Sequence, residues 1–169
     1  DFTLSSDPLS EGDSSCIFDG DGVPSFPLPL IEKGKVKNFL YDLRTAALEG
    51  VNEKGSCQRP DYASSPAPGI SNLVIDKGDF SGEPDEKFLE IVSFHGLHTS
   101  NPVSGDFGVD VDVSFLHENG EKKAVSDVLL TGNIFNLFNN IRHIGKKQSV
   151  HANLVSPEIW FSDLHIIGK

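Results

Sequence analysis

Between Val109 and Leu130 the chain alternates, turns and comes back. Val109, Val111, Val113 and Phe115 interleave with Asp110, Asp112, Ser114 and Leu116. A period of two places the two sets on opposite faces of an extended strand. Asn119-Gly120 follows, the dipeptide that best fits a two-residue type I′ hairpin turn, and Val125–Leu130 reads as the returning strand. This stretch commits the chain to antiparallel sheet, and the remaining segments are read around it.

Phe26–Glu32 alternates, Lys33-Gly34 turns and Val36–Tyr41 continues, which reads as a second hairpin. Its first strand holds Pro27 and Pro29, so it belongs at an edge or a bulge. Asp42 caps a short helix over Leu43–Glu49, with Gly50 as its stop. Asn72–Ile75 reads as a short strand. Ser81–Pro84 opens a helix whose apolar stripe is Phe88, Leu89 and Val92. Asn133 caps another helix, with Ile134, Leu137, Phe138 and Ile141 on one face, Arg142 and His143 at its negative end and Gly145 as its stop. The tail alternates again around a break at Pro157. Residues 6–25 and 51–70 are rich in Ser, Asp, Gly and Pro and read as surface loop. The expected fold is mainly β (α+β): a large curved antiparallel sheet or barrel-like domain with two or three short helices. The 169 residues fit a single domain. The chain has no Met and begins Asp1-Phe2-Thr3, which reads as part of a longer polypeptide.

The formal net charge of −11 repels phosphate backbones, and Lys146-Lys147 after Arg142 is the main local basic run. Nucleic acid and anionic membranes are therefore not expected partners. No apolar stretch approaches the length of a membrane span. Cys16 and Cys57 lack the spacing of a zinc pair and read as reduced structural thiols, which points to a cytoplasmic location.

Asp110 and Asp112 share a strand face with Cα atoms ~6.5–7 Å apart. Two carboxylates there could hold a hard cation if more oxygens converged; alternation of this kind is also how a half-buried strand meets water, and that is the expected reading. Asp106 sits in a Ser-Gly-Asp turn and can bond its own backbone. His117-Glu118 flanks the hairpin turn and has no second histidine at the spacing of HExxH. His95-Gly96-Leu97-His98 offers a loop-borne imidazole pair. Asp19-Gly20-Asp21-Gly22 lacks the ligand pattern of an EF-hand and reads as a turn. There is no GxSxG elbow and no P-loop. Arg44 and Arg59 are isolated cations. The residues alone describe an acidic β scaffold.

The order of several segments resembles the C-terminal region of the TldD/TldE (PmbA) family. The segments are Phe18–Pro24, Leu30–Gly34, Phe39–Ala46, Ser71–Ile75 with Gly78-Asp79, Asn101–Phe107, Glu118–Glu121 and Leu130–Asn133. The resemblance implies a peptidase, known by an older label as a modulator of DNA gyrase. It implies two related subunits that together degrade small unfolded peptides. One subunit carries zinc on an HExxxH helix and a later cysteine; the other lacks the metal. This chain has no HExxxH, and Gly145–Pro157 holds no cysteine, with His151 the one conceivable substitute. The resemblance thus favours the TldE-like branch, with no cofactor in this region and zinc in a partner subunit. A strand-built wall could hold an extended peptide by adding it to a sheet edge, and Arg44, His98, Asn101 and Asp106 are the expected lining. The alternative is a stand-alone acidic module for a cationic ligand or divalent ion. Direct action on DNA conflicts with the charge.

Overall fold

The computed structural model describes residues 2–52, 55–84 and 86–168. Among these described residues thirteen strands follow in chain order: β1 Leu4–Ser6, β2 Leu28–Glu32, β3 Lys35–Val36, β4 Cys57–Gln58, β5 Ala67–Pro68, β6 Leu73–Ile75, β7 Phe88–His95, β8 Asp106–Glu118, β9 Glu121–Val125, β10 Val128–Asn133, β11 Ile141–His151, β12 Leu154–Phe161 and β13 His165–Ile167. Two helices, α1 (Leu43–Glu49) and α2 (Ile134–Asn139), and a 3-10 turn over Leu97–Thr99 complete the elements. The residues gather into two compact units, one formed by the chain up to Gly78 with Gly145–Glu158, the other by Asp79–Ile144 with the chain from Ile159 onward.

The first unit carries a six-stranded sheet in the order β11-β12-β6-β1-β2-β3 and a small β4-β5 ribbon. The sheet is open, and β12 runs parallel to β6. Pro29 falls where the β1–β2 register slips, since Leu4 opposes Ile31 and Ser5 opposes Pro29. The proline thus marks a bulge, one strand in from the β3 edge. Phe2, Leu28, Ala46 and Cys57 are buried here beside a large polar complement. Asn72 is completely buried; its Oδ1 accepts from Ser14 N (3.0 Å) and its Nδ2 donates to Ser10 O (3.2 Å) and Ser15 Oγ (3.0 Å). The Ser- and Asp-rich surface loop is therefore wrapped around a side chain from the edge of β6. Helix α1 begins and ends as its sequence requires: Asp42 accepts from Thr45 N (2.6 Å), and Gly50 is left-handed at φ 68°.

The second unit is built on a sheet ordered β13-β10-β8-β7, with β9 paired to β8. Asn119 (φ 53°) and Gly120 (φ 77°) make the expected tight turn, and Glu118 opposes Glu121. The return is longer than the alternation suggests. β9 pairs with Ser114–Glu118, the chain kinks at Asp127 (φ 54°), and β10 pairs with Asp106–Val111. Val109, Val111, Val128 and Leu130 form the buried core, with Leu89, Ile91, Phe107, Val125 and Leu164 packed against it.

The mainly β expectation holds, in its open-sheet form: among the described residues the sheets keep free edges and none closes into a barrel. Four local expectations are corrected. Phe88, Leu89 and Val92 lie on β7: Phe88 and Leu89 pair with Leu116–His117 of β8, and Val92 falls at the irregularity between Ile91 and Ser93. The segment after Asn133 stays helical only to Asn139, and Arg142, His143 and Gly145 belong to β11. Pro157 does not break the tail: it is buried within β12, beyond the Leu154 and Val155 positions that pair with β6, where its missing N–H breaks no β6 bond. The break falls at Ser162–Leu164, where Asp163 has φ 61°. The period-two phase also shifts: Ser114 is buried and donates Oγ to Val125 O (3.0 Å), while Val113 is exposed. Irregular pairing of Ile91–Phe94 with β8 causes the shift.

Candidate functional site

Between the 3-10 turn and β8 the chain forms a tight loop. Asn101 N donates to Asp106 O (2.9 Å) and Gly105 N donates to Asn101 O (2.8 Å). The Asn101 side chain caps the loop from within, its Oδ1 accepting from Val103 N (2.9 Å) and Ser104 N (3.1 Å). Gly105 sits at φ 80°, and a Cβ there would lie 2.7 Å from the Phe135 ring. Asp106 accepts from Asn133 Nδ2 (2.8 Å) and Ser104 Oγ (2.7 Å). Asn133 also donates to Ser104 O (2.8 Å) and accepts from Phe135 N (3.1 Å) as the α2 cap. The amide of Asn133, and then the Ser104 hydroxyl, hold the Asp106 carboxyl below its ordinary range.

The structure thus brings Asn101 and Asp106 into one hydrogen-bonded knot and commits both side chains to holding it. His98 stands exposed in the 3-10 turn at the start of this connection and makes no hydrogen bond or ion pair among the described residues. Arg44 belongs to the first unit and is exposed on α1.

Two further imidazole sites are assembled by strand pairing. His95 Nδ1 lies 2.7 Å from Asp112 Oδ1 and its Nε2 3.7 Å from Asp110 Oδ2, all exposed. The two carboxylates bracket opposite nitrogens of one ring and do not converge on a shared point, so the wet-face reading of Asp110 and Asp112 fits this geometry. His117 is enclosed. Its Nε2 meets Glu90 Oε2 at 2.8 Å, its Nδ1 lies 3.5 Å from Glu83 Oε2, and Phe88 stacks on the ring at 4.2 Å. Lys122 Nζ reaches the same Glu90 oxygen at 2.7 Å. Lys122, then His117, lowers the Glu90 pKa. The cluster borders a cleft of about 550 Å³ with Glu83, Glu86, Glu118 and Glu121 on its walls. Reading the sequence overlooked it because Glu90 and His117 are 27 residues apart; the signal present was the complementary charge of Glu90 and Lys122, which sit on the two strands either side of β8.

Asp19, Asp21 and Cys57 bring one ligand atom each within 4.8 Å of one another. Their chemistry fits a braced turn better than a zinc centre. Asp19 Oδ1 accepts from Asp21 N (3.0 Å) and Val23 N (2.9 Å), and Oδ2 from Cys57 N (3.1 Å). Asp21 Oδ2 accepts from Leu43 N (2.9 Å) at the start of α1. Burial, then the Asp21 and Asp19 charges, pushes the Cys57 thiol up to about 11.

The fold and these loops define a mainly β domain whose polar knots fix loop geometry. The chain belongs to the PmbA/TldA metallopeptidase C-terminal domain family, which it matches over residues 1–168. Its fold is that of TldE from Thermococcus kodakarensis, with 31% identity and a TM-score of 0.87 over 99% of this chain. A Thermotoga maritima protein whose name ties it to modulation of a DNA gyrase is similar at 27% identity and a TM-score of 0.86 over 98% of this chain. An uncharacterised Methanocaldococcus jannaschii protein is 32% identical over 85% of this chain, and a Methanothermobacter thermautotrophicus metalloprotease 28% identical over 85%. The chain spans 34% of the first of these archaeal relatives and 40% of the TldE chain. Among the described residues, no helix is long and apolar enough to cross a membrane.

Proposed function

We propose that this chain is the C-terminal domain of a TldD/TldE-type peptidase of the TldE-like branch, working in the cytoplasm. In this reading it supplies walls and subunit contacts to a chamber that degrades small unfolded peptides, and the sister subunit carries the zinc. The observation that carries the reading is the match to Thermococcus kodakarensis TldE over 99% of the chain. The commitment of Asn101 and Asp106 to the loop knot supports a shaping role for them, and it leaves exposed Arg44 and His98 as candidates for peptide contact. Arg44 would meet a peptide carboxylate through its planar fork.

The test uses the full-length protein, with and without its sister subunit, on an unfolded peptide. Cleavage is expected only with both subunits present, and Arg44→Ala or His98→Ala should raise KM about three- to tenfold with kcat little changed. Cleavage by the full-length protein without the sister subunit would overturn the scaffold role.

A further inference from the structure

His117 lies on β8 opposite Phe88 on β7, and its side chain is 12% exposed. The charged groups that face it come from three elements: Glu83 from the segment before β7, Glu90 from β7 and Lys122 from β9. The Lys87–Glu118 pair (3.1 Å) lies beside them, and Glu86 and Glu121 line the same cleft.

A neutral imidazole carries one ring proton, and only the imidazolium carries two. Glu90 and Glu83 stand at opposite ring nitrogens, so both are served only when His117 is protonated. The two contacts are unequal. Glu90 is close, at 2.8 Å, and shares its oxygen with Lys122; Glu83 is 3.5 Å away and two-thirds exposed. When one proton leaves, the remaining N–H stays on the shorter contact to Glu90. The Nδ1 lone pair is then turned toward the Glu83 carboxylate, and the attraction becomes repulsion.

We infer that His117 is a proton-operated clasp: charged, it holds Glu83 against the tip of the β7–β8–β9 sheet at the mouth of the cleft; neutral, it keeps Glu90 and releases Glu83. Release frees one carboxylate, and loss of the ring proton removes one positive charge, so the neutral state leaves the cleft more negative. His95 serves as a built-in comparison. It also sits between two carboxylates, but its side chain is 64% exposed and solvent screens it.

Hydrogen exchange read by mass spectrometry on the full-length protein tests the clasp. Peptides spanning residues 80–91 are followed at about pH 5.5 and about pH 8, with intrinsic exchange rates corrected. Wild-type protection in this segment should fall about three- to fivefold from the lower to the higher pH, the scale of one partly exposed ion pair. Glu83→Gln and His117→Gln should abolish the difference, and His95→Gln should leave it in place. Glu83 is exposed, so Glu83→Gln decides the matter even if His117→Gln fails to fold. A wild-type difference that survives in Glu83→Gln, or that vanishes in His95→Gln, would overturn the clasp.

Discussion

Asn133 and Asp106 oppose each other in the β8–β10 register, and the Asn133 amide donates to the Asp106 carboxylate at 2.8 Å. One side chain thereby caps α2, ties off the Asn101–Asp106 loop and neutralises nothing, since its amide is uncharged. Asn133→Ala removes the cap and two donors together. A loss of roughly 1–2 kcal/mol is expected in urea unfolding, with the exchange protection of Ser104–Asp106 falling in parallel. Unchanged stability would remove Asn133 from its central place in the knot.

Asp106 adds a pH dependence. Its folded pKa is depressed by Asn133 and Ser104, so its contribution is present above the unfolded value, about 3.9, and is lost as pH falls through the folded pKa. Asp42 and Asp61, held down by the backbone and hydroxyl of Thr45 and by Ser64 and Ala63, act in the same direction. Stability should therefore decline on the acid side, and Asp106→Asn should flatten part of that decline in melting curves recorded below about pH 5. An acid limb of the same slope in the variant would show that the bond pattern does not set the titration.

The Cys57 thiol, raised to about 11, has about one part in a thousand as thiolate at about pH 8. Cys57 is also 1% exposed, whereas Cys16 is half-buried. Iodoacetamide should modify Cys16 in the native protein and reach Cys57 only after denaturant is added. Native labelling of Cys57 at a rate like that of Cys16 would show that the β4 region opens readily.

The second unit's core should respond more than its edge. Leu130 is 7% exposed within the Val109–Val111–Val128 cluster, and Val92 is 59% exposed on edge strand β7. Leu130→Ala should cost about 2–4 kcal/mol, and Val92→Ala no more than about 0.5 kcal/mol. Chemical denaturation of the two variants gives the comparison directly. Equal losses would mean that Val92 is covered in the full-length protein.

The legible parts of this fold were those specified by neighbours in sequence. Asn119-Gly120 supplies the positive φ its turn needs, and Asp42 and Gly50 mark the two ends of the seven-residue α1. Segments decided by partners were misread. Phe88, Leu89 and Val92 suit one side of a helix, but β8 offers Phe88 and Leu89 a ladder and Val92 is drawn into β7 with them. Ile141 continues the apolar spacing of α2, yet Asn139 and Asn140 end the helix and the chain becomes β11. The site divides in the same way. Asn101 and Asp106 meet within one turn that is visible in the sequence, whereas Glu83, Glu90 and His117 meet only after β7 pairs with β8. Arg44 and His98 stand out by residue type; Arg44 adds its charge to the α1 cap Asp42, and no side-chain hydrogen bond or ion pair among the described residues holds His98.

Asn72 also has a kinetic consequence. Its amide reaches Ser10, Ser14 and Ser15 across 57 to 62 residues of chain, and a Cβ on Gly12 would lie 2.5 Å from its Oδ1. The early loop has no regular ladder of its own, so it settles only after a residue synthesised much later has been locked in place. Nascent chains that end before β6 should therefore leave this segment open to protease, and its closure should report the late, long-range stage of folding.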